Sequence, residues 1–177
     1  MKGKWTCIAL AAAILFAGCA EIPIKKATRM KTDDLVVIGD FIADQLTAGA
    51  GERLAPAKPV LVASFVDVND VEKASNFGRM VSEYIISRLS EIGYTSVEAK
   101  PRESVYAAKG RGSLALSDAF MEMAQSNEAA AVVVGTYLTG KTDVFVSARL
   151  VELESGRVIS ATGFSLPFTD RLKNLFW

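Results

Sequence analysis

PVLVASFVDV (residues 59–68), a polar turn, and SNFGRMVSEYIISRLSEIGY (residues 75–94) decide the fold. Val60, Leu61, Val62, Ala63, Phe65 and Val66 make a nearly continuous apolar run rich in β-branched residues. A strand covered on both faces has this composition. Pro59 stands at its first position, where no ladder donor is lost. Asp67, Asn69 and Asp70 break the run with turn chemistry. Ser75 then suits an N-cap. Phe77, Val81, Tyr84, Ile85, Leu89 and Ile92 recur at helical spacing and form one apolar stripe. Arg79, Ser82, Glu83, Ser87 and Glu91 form the wet face, with Arg79 and Glu83 one turn apart as an expected surface ion pair. Gly93 ends the helix as a left-handed C′ residue. The strand YTSVEA (94–99) follows at once, so strand, helix and strand make a βαβ-like unit.

Towards the C-terminus, AAAVVVGTYL (129–138) is a second continuous apolar strand, expected to be central beside the first. Gly135 within it suggests a bulge or close packing. In DVFVSARLVEL (143–153), Val144, Val146, Ala148 and Leu150 alternate with Phe145, Ser147, Arg149 and Val151, as in a half-buried strand. Glu154-Ser155-Gly156 turns the chain, and RVISATGFSLPF (157–168) returns antiparallel. TDRLKNLFW (169–177) reads first as a terminal helical turn packed on the domain and second as an exposed hook for a partner. Residues 100–116 read as a mobile loop. Gly110 and Gly112 within it lack the following Lys-Ser/Thr of a phosphate loop. Ser117 caps a short helix in which Met121 and Met123 read as core filler. Towards the N-terminus, Asp33 is the expected cap of a helix to about Gly49, with the stripe Leu35, Ile38, Ile42 and Leu46. The expected architecture is α/β: a mixed sheet of about five strands, parallel with an antiparallel C-terminal hairpin, packed with two to three helices.

The 177 residues are one domain's length, and half are apolar. Twenty basic residues balance twenty acidic ones. That balance offers nucleic acid no electrostatic footprint. Histidine is absent from the sequence, so Ser-His-Asp triads and histidine metal sites are excluded.

Residues 1–18 have the parts of a secretory signal: Lys2 and Lys4, an apolar stretch from Ile8 to Phe16, and the small pair Ala17-Gly18. The apolar stretch is short for a membrane span. Cys19 follows directly, and LFAGC (15–19) resembles the bacterial lipobox, whose cysteine is acylated and becomes the first residue after cleavage. Cys7 would leave with the signal. Ala20, rather than Asp, after the cysteine favours the outer membrane in sorting systems like the enterobacterial one. Residues 19–32 are the expected lipidated tether. Lys25, Lys26, Arg29 and Lys31 in it suit a solvated linker first and anionic headgroups second. Residues 33–177 are the expected folded domain.

With these elements in place, the chain resembles the FlgO family of flagellar outer-membrane lipoproteins. The matching pieces, in order, are DFIADQL (40–46), VLVASFVDV (60–68), FGRMVSEYIISRL (77–89), GSLALSD (112–118), VVVGTY (132–137) and VSARLVELESGRVISA (146–161). They span nearly all of 33–166, and the ordered set carries the resemblance rather than any one motif. More distantly, the layout is similar to the N-terminal part of TolB and to CsgG. The FlgO resemblance implies a periplasm-facing outer-membrane protein associated with the flagellum and needed for motility. It implies no catalytic site.

Residue chemistry points the same way. The polar candidates for catalysis are Asp67, Asp70, Glu83, Arg79, Ser117, Tyr137 and Arg149. Asp67 and Asp70 sit past the end of a central strand, where open α/β sheets bind ligands, but an Asx-rich turn more often satisfies its own backbone donors. The expectation is a non-enzyme that needs no cofactor or metal, anchored through Cys19. Its partners would be proteins of a flagellar or envelope assembly, or copies of itself, with edge strands as the assembly site. The alternative is a CsgG- or TolB-like component of envelope secretion or transport.

Overall fold

The strand–helix–strand unit forms the centre of the protein. A computed structural model describes residues 28–99, 106–109 and 113–176. In chain order its elements are β1 (Thr28–Arg29), α1 (Leu35–Ala50), a 3-10 turn (Gly51–Arg53), β2 (Val60–Ala63), β3 (Val66–Asp67), β4 (Asp70–Ala74), α2 (Asn76–Glu91), β5 (Ser96–Ala99), β6 (Tyr106–Lys109), β7 (Ser113–Leu116), α3 (Asp118–Ser126), β8 (Ala131–Thr139), β9 (Asp143–Glu152), β10 (Val158–Pro167) and α4 (Asp170–Lys173). The main sheet has the order β1-β10-β9-β8-β2-β5; β3 also pairs with β8, and β4 with β3. β2 is parallel to both β5 and β8. β8, β9 and β10 run antiparallel in turn.

The two apolar runs are neighbours at the centre, with Val62 directly opposite Val133. Residues of β2 alternate between two cores. Val60 and Val62 join the face covered by α1, α2 and α4, while Leu61 and Ala63 join the face covered by α3 through Phe120 and Ala124. Cover on both faces is why the run shows no polar alternation. Helix α2 buries Phe77, Val81, Ile85 and Leu89 of the expected stripe, with Tyr84 half-buried and Ile92 exposed, and it also buries Ser82, expected on the wet face. The Ser75 hydroxyl accepts from the Gly78 N–H at 3.1 Å. At the other end Gly93 has φ +89°. The Gly93 N–H donates to the Ser90 carbonyl and the Tyr94 N–H to the Leu89 carbonyl, the paired bonds of a Schellman motif.

The α/β class is as expected, but among the described residues the main sheet has eight strands rather than about five, and there are four α-helices rather than two to three. The extra strands are short: β1 and β3 have two residues each and β4 has five. Segments of that length show no period. Residues 28–29, expected in the tether, pair with β10, and the Met30 N–H donates to the Ser165 carbonyl at 2.8 Å. The supposed loop 100–116 contains the two-stranded β6–β7 sheet, with Tyr106 opposite Leu116. Its strands are four residues long and alanine-rich, too brief to stand out in the sequence. The Gly110–Gly112 piece lies outside the described residues. Asp34 rather than Asp33 caps α1, accepting from the Val36 N–H; Asp33 instead accepts from the Thr169 hydroxyl at 2.6 Å. Arg79 does not pair with Glu83. Its guanidinium donates to the Ala74 carbonyl. The pair that forms is Arg88 with both oxygens of Asp44, at 2.9 and 3.1 Å, joining α2 to α1. Those hydrogen bonds, with one to Glu91, raise the pKa of Arg88 further above its ordinary value.

The apolar run 60–68 is not one strand. Ala63, Ser64 and Phe65 span the length that Val134 and Gly135 cover on β8. This is a bulge carrying one extra residue. It lies opposite Gly135 rather than at it, and a Cβ on Gly135 would collide with the Phe65 ring. On the other side, the Phe65 N–H donates to the Gly78 carbonyl at 3.2 Å, and a Cβ on Gly78 would strike the Phe65 carbonyl oxygen.

These contacts give a test by chemical denaturation. Gly135→Ala and Gly78→Ala should each cost about 1–3 kcal/mol, the range for overpacking. Phe65→Leu should relieve Gly135→Ala, with a coupling of about 0.5 kcal/mol or more, because there the obstacle is the ring. It should not relieve Gly78→Ala, where the obstacle is backbone. Equal relief of both would contradict this packing.

Candidate interaction surface

Ligands of open α/β sheets bind beyond the C-terminal ends of the strands. In this protein that position is filled by the chain itself. The Tyr137 hydroxyl, at the end of β8, donates to the Ser75 hydroxyl at 2.7 Å in a buried contact. Burial raises the Tyr137 pKa above its ordinary value of 10.0, and the nearby charges of Asp67 and Asp70 push the same way. Phe77 packs edge-on against Tyr137 and stacks on Phe176, with ring centroids 5.2 and 4.6 Å apart. Phe168 meets Phe176 edge-on. The Phe77 N–H, one of the donors left free at a helix start, donates to the Leu175 carbonyl at 2.8 Å. Thr169 caps α4, and Leu172 is fully buried under it. Leu172, Leu175 and Phe176 are therefore packed on the domain, as expected; Trp177 lies outside the described residues.

The other polar candidates are used locally or lie apart. Asp67 accepts from the backbone N–H and the side-chain amide of Asn69, at 2.7 and 3.0 Å. Asp70 stands opposite Asp67 in the β3–β4 pair. Glu83 is exposed on α2. Ser117 accepts from the Phe120 N–H and caps α3. Arg149 is on the outer face of β9. Only Asp67, Asp70 and Tyr137 come to one end of the sheet, and there the tyrosine is sealed under aromatic rings. Among the described residues, no group of three or more His, Cys, Asp or Glu is arranged to hold a metal ion. Cys19 lies outside the described residues.

The accessible surface of distinctive chemistry is the second sheet face beyond α3. Phe145 on β9 is opposite Leu138 on β8 and Ser165 on β10. Val68 continues β3 alongside, its N–H donating to the Tyr137 carbonyl at 3.0 Å. Val68, Leu138 and Phe145 thus form a row across three strands, 51, 40 and 53% exposed. The next rows are Thr136 with Ser147 and Gly163, then Val134 with Arg149 and Ala161. At the β1 edge, Arg29 donates to Asp143 at 2.8 Å. The hydrogen bond from Thr142, then that from Arg29, lower the Asp143 pKa. Arg149 makes no hydrogen bond or ion pair among the described residues. The alternation in 143–153 predicts which residues face outwards. It does not reveal that Leu138 and Val68 line up beside Phe145, because that depends on pairing across three strands. Among the described residues, no helix is long and apolar enough to cross a membrane.

This sheet, with helices on both faces and a C-terminal antiparallel hairpin, defines an α/β domain class that includes the LpoB C-terminal domain. The Salmonella enterica LpoB domain is 14% identical with a TM-score of 0.55, covering 75% of this chain and 97% of that one. The Escherichia coli LpoB domain is 12% identical with a TM-score of 0.52 and the same coverage. The PelC dodecamer from Paraburkholderia phytofirmans is similar at 21% identity and a TM-score of 0.45, over 66% of this chain and 76% of that one. No curated protein matches the sequence. The family described as FlgO protein matches residues 40–171, and the chain belongs to that family.

Two measurements test the sealed strand end. Because the folded state raises the Tyr137 pKa, its contribution is fully present below about pH 10 and is lost as pH rises through the folded value. Tyr137→Phe should cost about 1 kcal/mol at neutral pH and show a smaller loss of stability above pH 10 than the parent. A Phe77→Leu, Phe176→Leu double-mutant cycle should give a coupling of about 0.5–1.5 kcal/mol. A coupling near zero would mean the tail does not seat on α2.

Proposed function

We propose that the protein is a non-catalytic lipoprotein of the outer membrane, held by lipid on Cys19 with its domain facing the periplasm. In this reading it is a structural and interaction component associated with the flagellum and needed for motility. The observation that carries it is membership of the FlgO family over residues 40–171, joined to the lipobox-like LFAGC (15–19). Residues 1–18 are the signal, 19–32 the tether and 33–177 the domain. The tether is taken up by the sheet from Thr28 onwards, which leaves 20–27 between anchor and sheet. A non-enzymatic role is supported by the strand end, where the chain's own Leu175 and Phe176 occupy the position of a ligand. Partners are proteins of the flagellar assembly or further copies of the chain. Anchored domains share one surface, so weak lateral contacts suffice to assemble them. A role in envelope secretion or transport is the second reading, supported by the likeness in layout to CsgG and TolB.

Cys19→Ser should move the protein out of the outer-membrane fraction while its circular dichroism stays unchanged. Recovery of the intact protein without lipid, wholly soluble, would overturn the anchor. Deleting the gene should impair swimming and leave bulk envelope integrity intact. Normal motility with normal flagella would favour the secretion reading.

A further inference from the structure

We propose that the open sheet face over β8, β9 and β10 docks on the membrane surface, taking anionic phospholipid headgroups. The row Val68, Leu138 and Phe145 supplies an apolar strip that remains exposed outside the cover of α3. Interfacial segments bind by burying apolar area while basic groups meet anionic lipid. Within the rows of β8, β9 and β10 the uncompensated charge is a cation. Arg149 projects from it with no partner among the described residues. The acid on the same face, Asp143, is neutralised by Arg29 at 2.8 Å. Lys31 and Lys141 are exposed.

Where the chain enters fixes the choice of a membrane over a protein partner. The chain joins the sheet at β1, on the margin of this face, with Arg29 beside Ser165 in the Phe145 row. Apart from Arg29, which is paired with Asp143, residues 20–32 carry Lys25, Lys26 and Lys31 against one acid, Glu21, so the approach to this margin is basic. Juxtamembrane basic residues are drawn to anionic lipid over about a Debye length. From Cys19 to Thr28 the chain can span at most roughly 30 Å. An anchor on Cys19 therefore keeps this margin within reach of the bilayer that holds it. For that orientation the proposal rests on the lipid-anchor reading.

The test uses the mature, lipidated chain in vesicles of phosphatidylethanolamine with or without phosphatidylglycerol. Cys19 is the one cysteine after the signal, and its thiol is blocked by the lipid. A nitroxide on Phe145→Cys is therefore unique, and Ser87→Cys on exposed α2 is the control. In phosphatidylglycerol vesicles the label at position 145 should lose collisions with a water-soluble nickel reagent and gain collisions with oxygen. The label at position 87 should do neither. High salt or Arg149→Glu should abolish the difference; both variants sit on exposed positions, and circular dichroism checks their fold. A label at 145 equally open to the nickel reagent in detergent and in phosphatidylglycerol vesicles would overturn the proposal. So would spin–spin broadening at 145 in detergent, which would assign the face to a second copy. Mass spectrometry of Cys19 on the same sample separates the two readings. An unacylated chain sinks the anchor, and Cys19→Ser combined with Phe145→Cys then leaves one thiol after the signal, whose label still reports whether the face takes anionic lipid.

Discussion

The arrangement depends on one crowded contact, in which Phe65 is held between two glycines. The extra residue in the bulge pushes the Phe65 ring over Gly135 and leaves its backbone bonded to Gly78. Bulges bend a strand and increase its local twist. Here the bend lets β3 keep pairing with β8 after β2 has finished, and it sets Gly78, in the first turn of α2, directly on the backbone of Phe65. Ser75 then both caps α2 and receives the Tyr137 hydroxyl. Sheet register, helix position and the sealed strand end thus follow from how one phenylalanine is accommodated.

A similar economy governs the helical layer. Gly39 on α1 brings that helix against Tyr84, where any side chain would collide. One turn further along, the Asp44–Arg88 pair ties the same two helices with two parallel hydrogen bonds. Such fork-to-fork geometry fixes orientation as well as proximity. On the opposite side of the sheet, α3 supplies the described helical cover, and the difference between the two sides leaves Phe145 and Leu138 in solvent.

Much of this was legible in the residues. Val62 and Val133 read as neighbours because both runs lack polar alternation. Both ends of α2 read correctly from Ser75 and Gly93, since capping chemistry is local. Phe145 and Arg149 on β9 read correctly as outward from period two, whereas Val151, in phase with them, is buried in the cluster under α3 because the sheet is covered there. What was hidden depends on pairing between distant segments. Nothing around Thr28 announces a strand, because its partner Phe164 lies at the other end of the chain. Arg88 looks like any wet-face arginine until α1 is placed beside it, whereas Arg79 and Glu83 have the right spacing but find other surroundings. Asp67, past the β2 and β3 run, satisfies donors of its own turn, as an Asx-rich sequence implies, whereas the cover that Leu175 and Phe176 give Phe77 and Tyr137 depends on the far end of the chain.

The first and last described segments meet. β1 pairs with β10, Asp33 bonds to Thr169, and the carbonyl of Leu175 satisfies the start of α2. Closure of these contacts requires nearly the whole chain, and such non-local topology slows folding. An emerging chain without its last dozen residues lacks the α2 donor's partner and much of the aromatic cluster. Closing the domain therefore waits on residues 164–176, which supply the partners of β1 and of the start of α2.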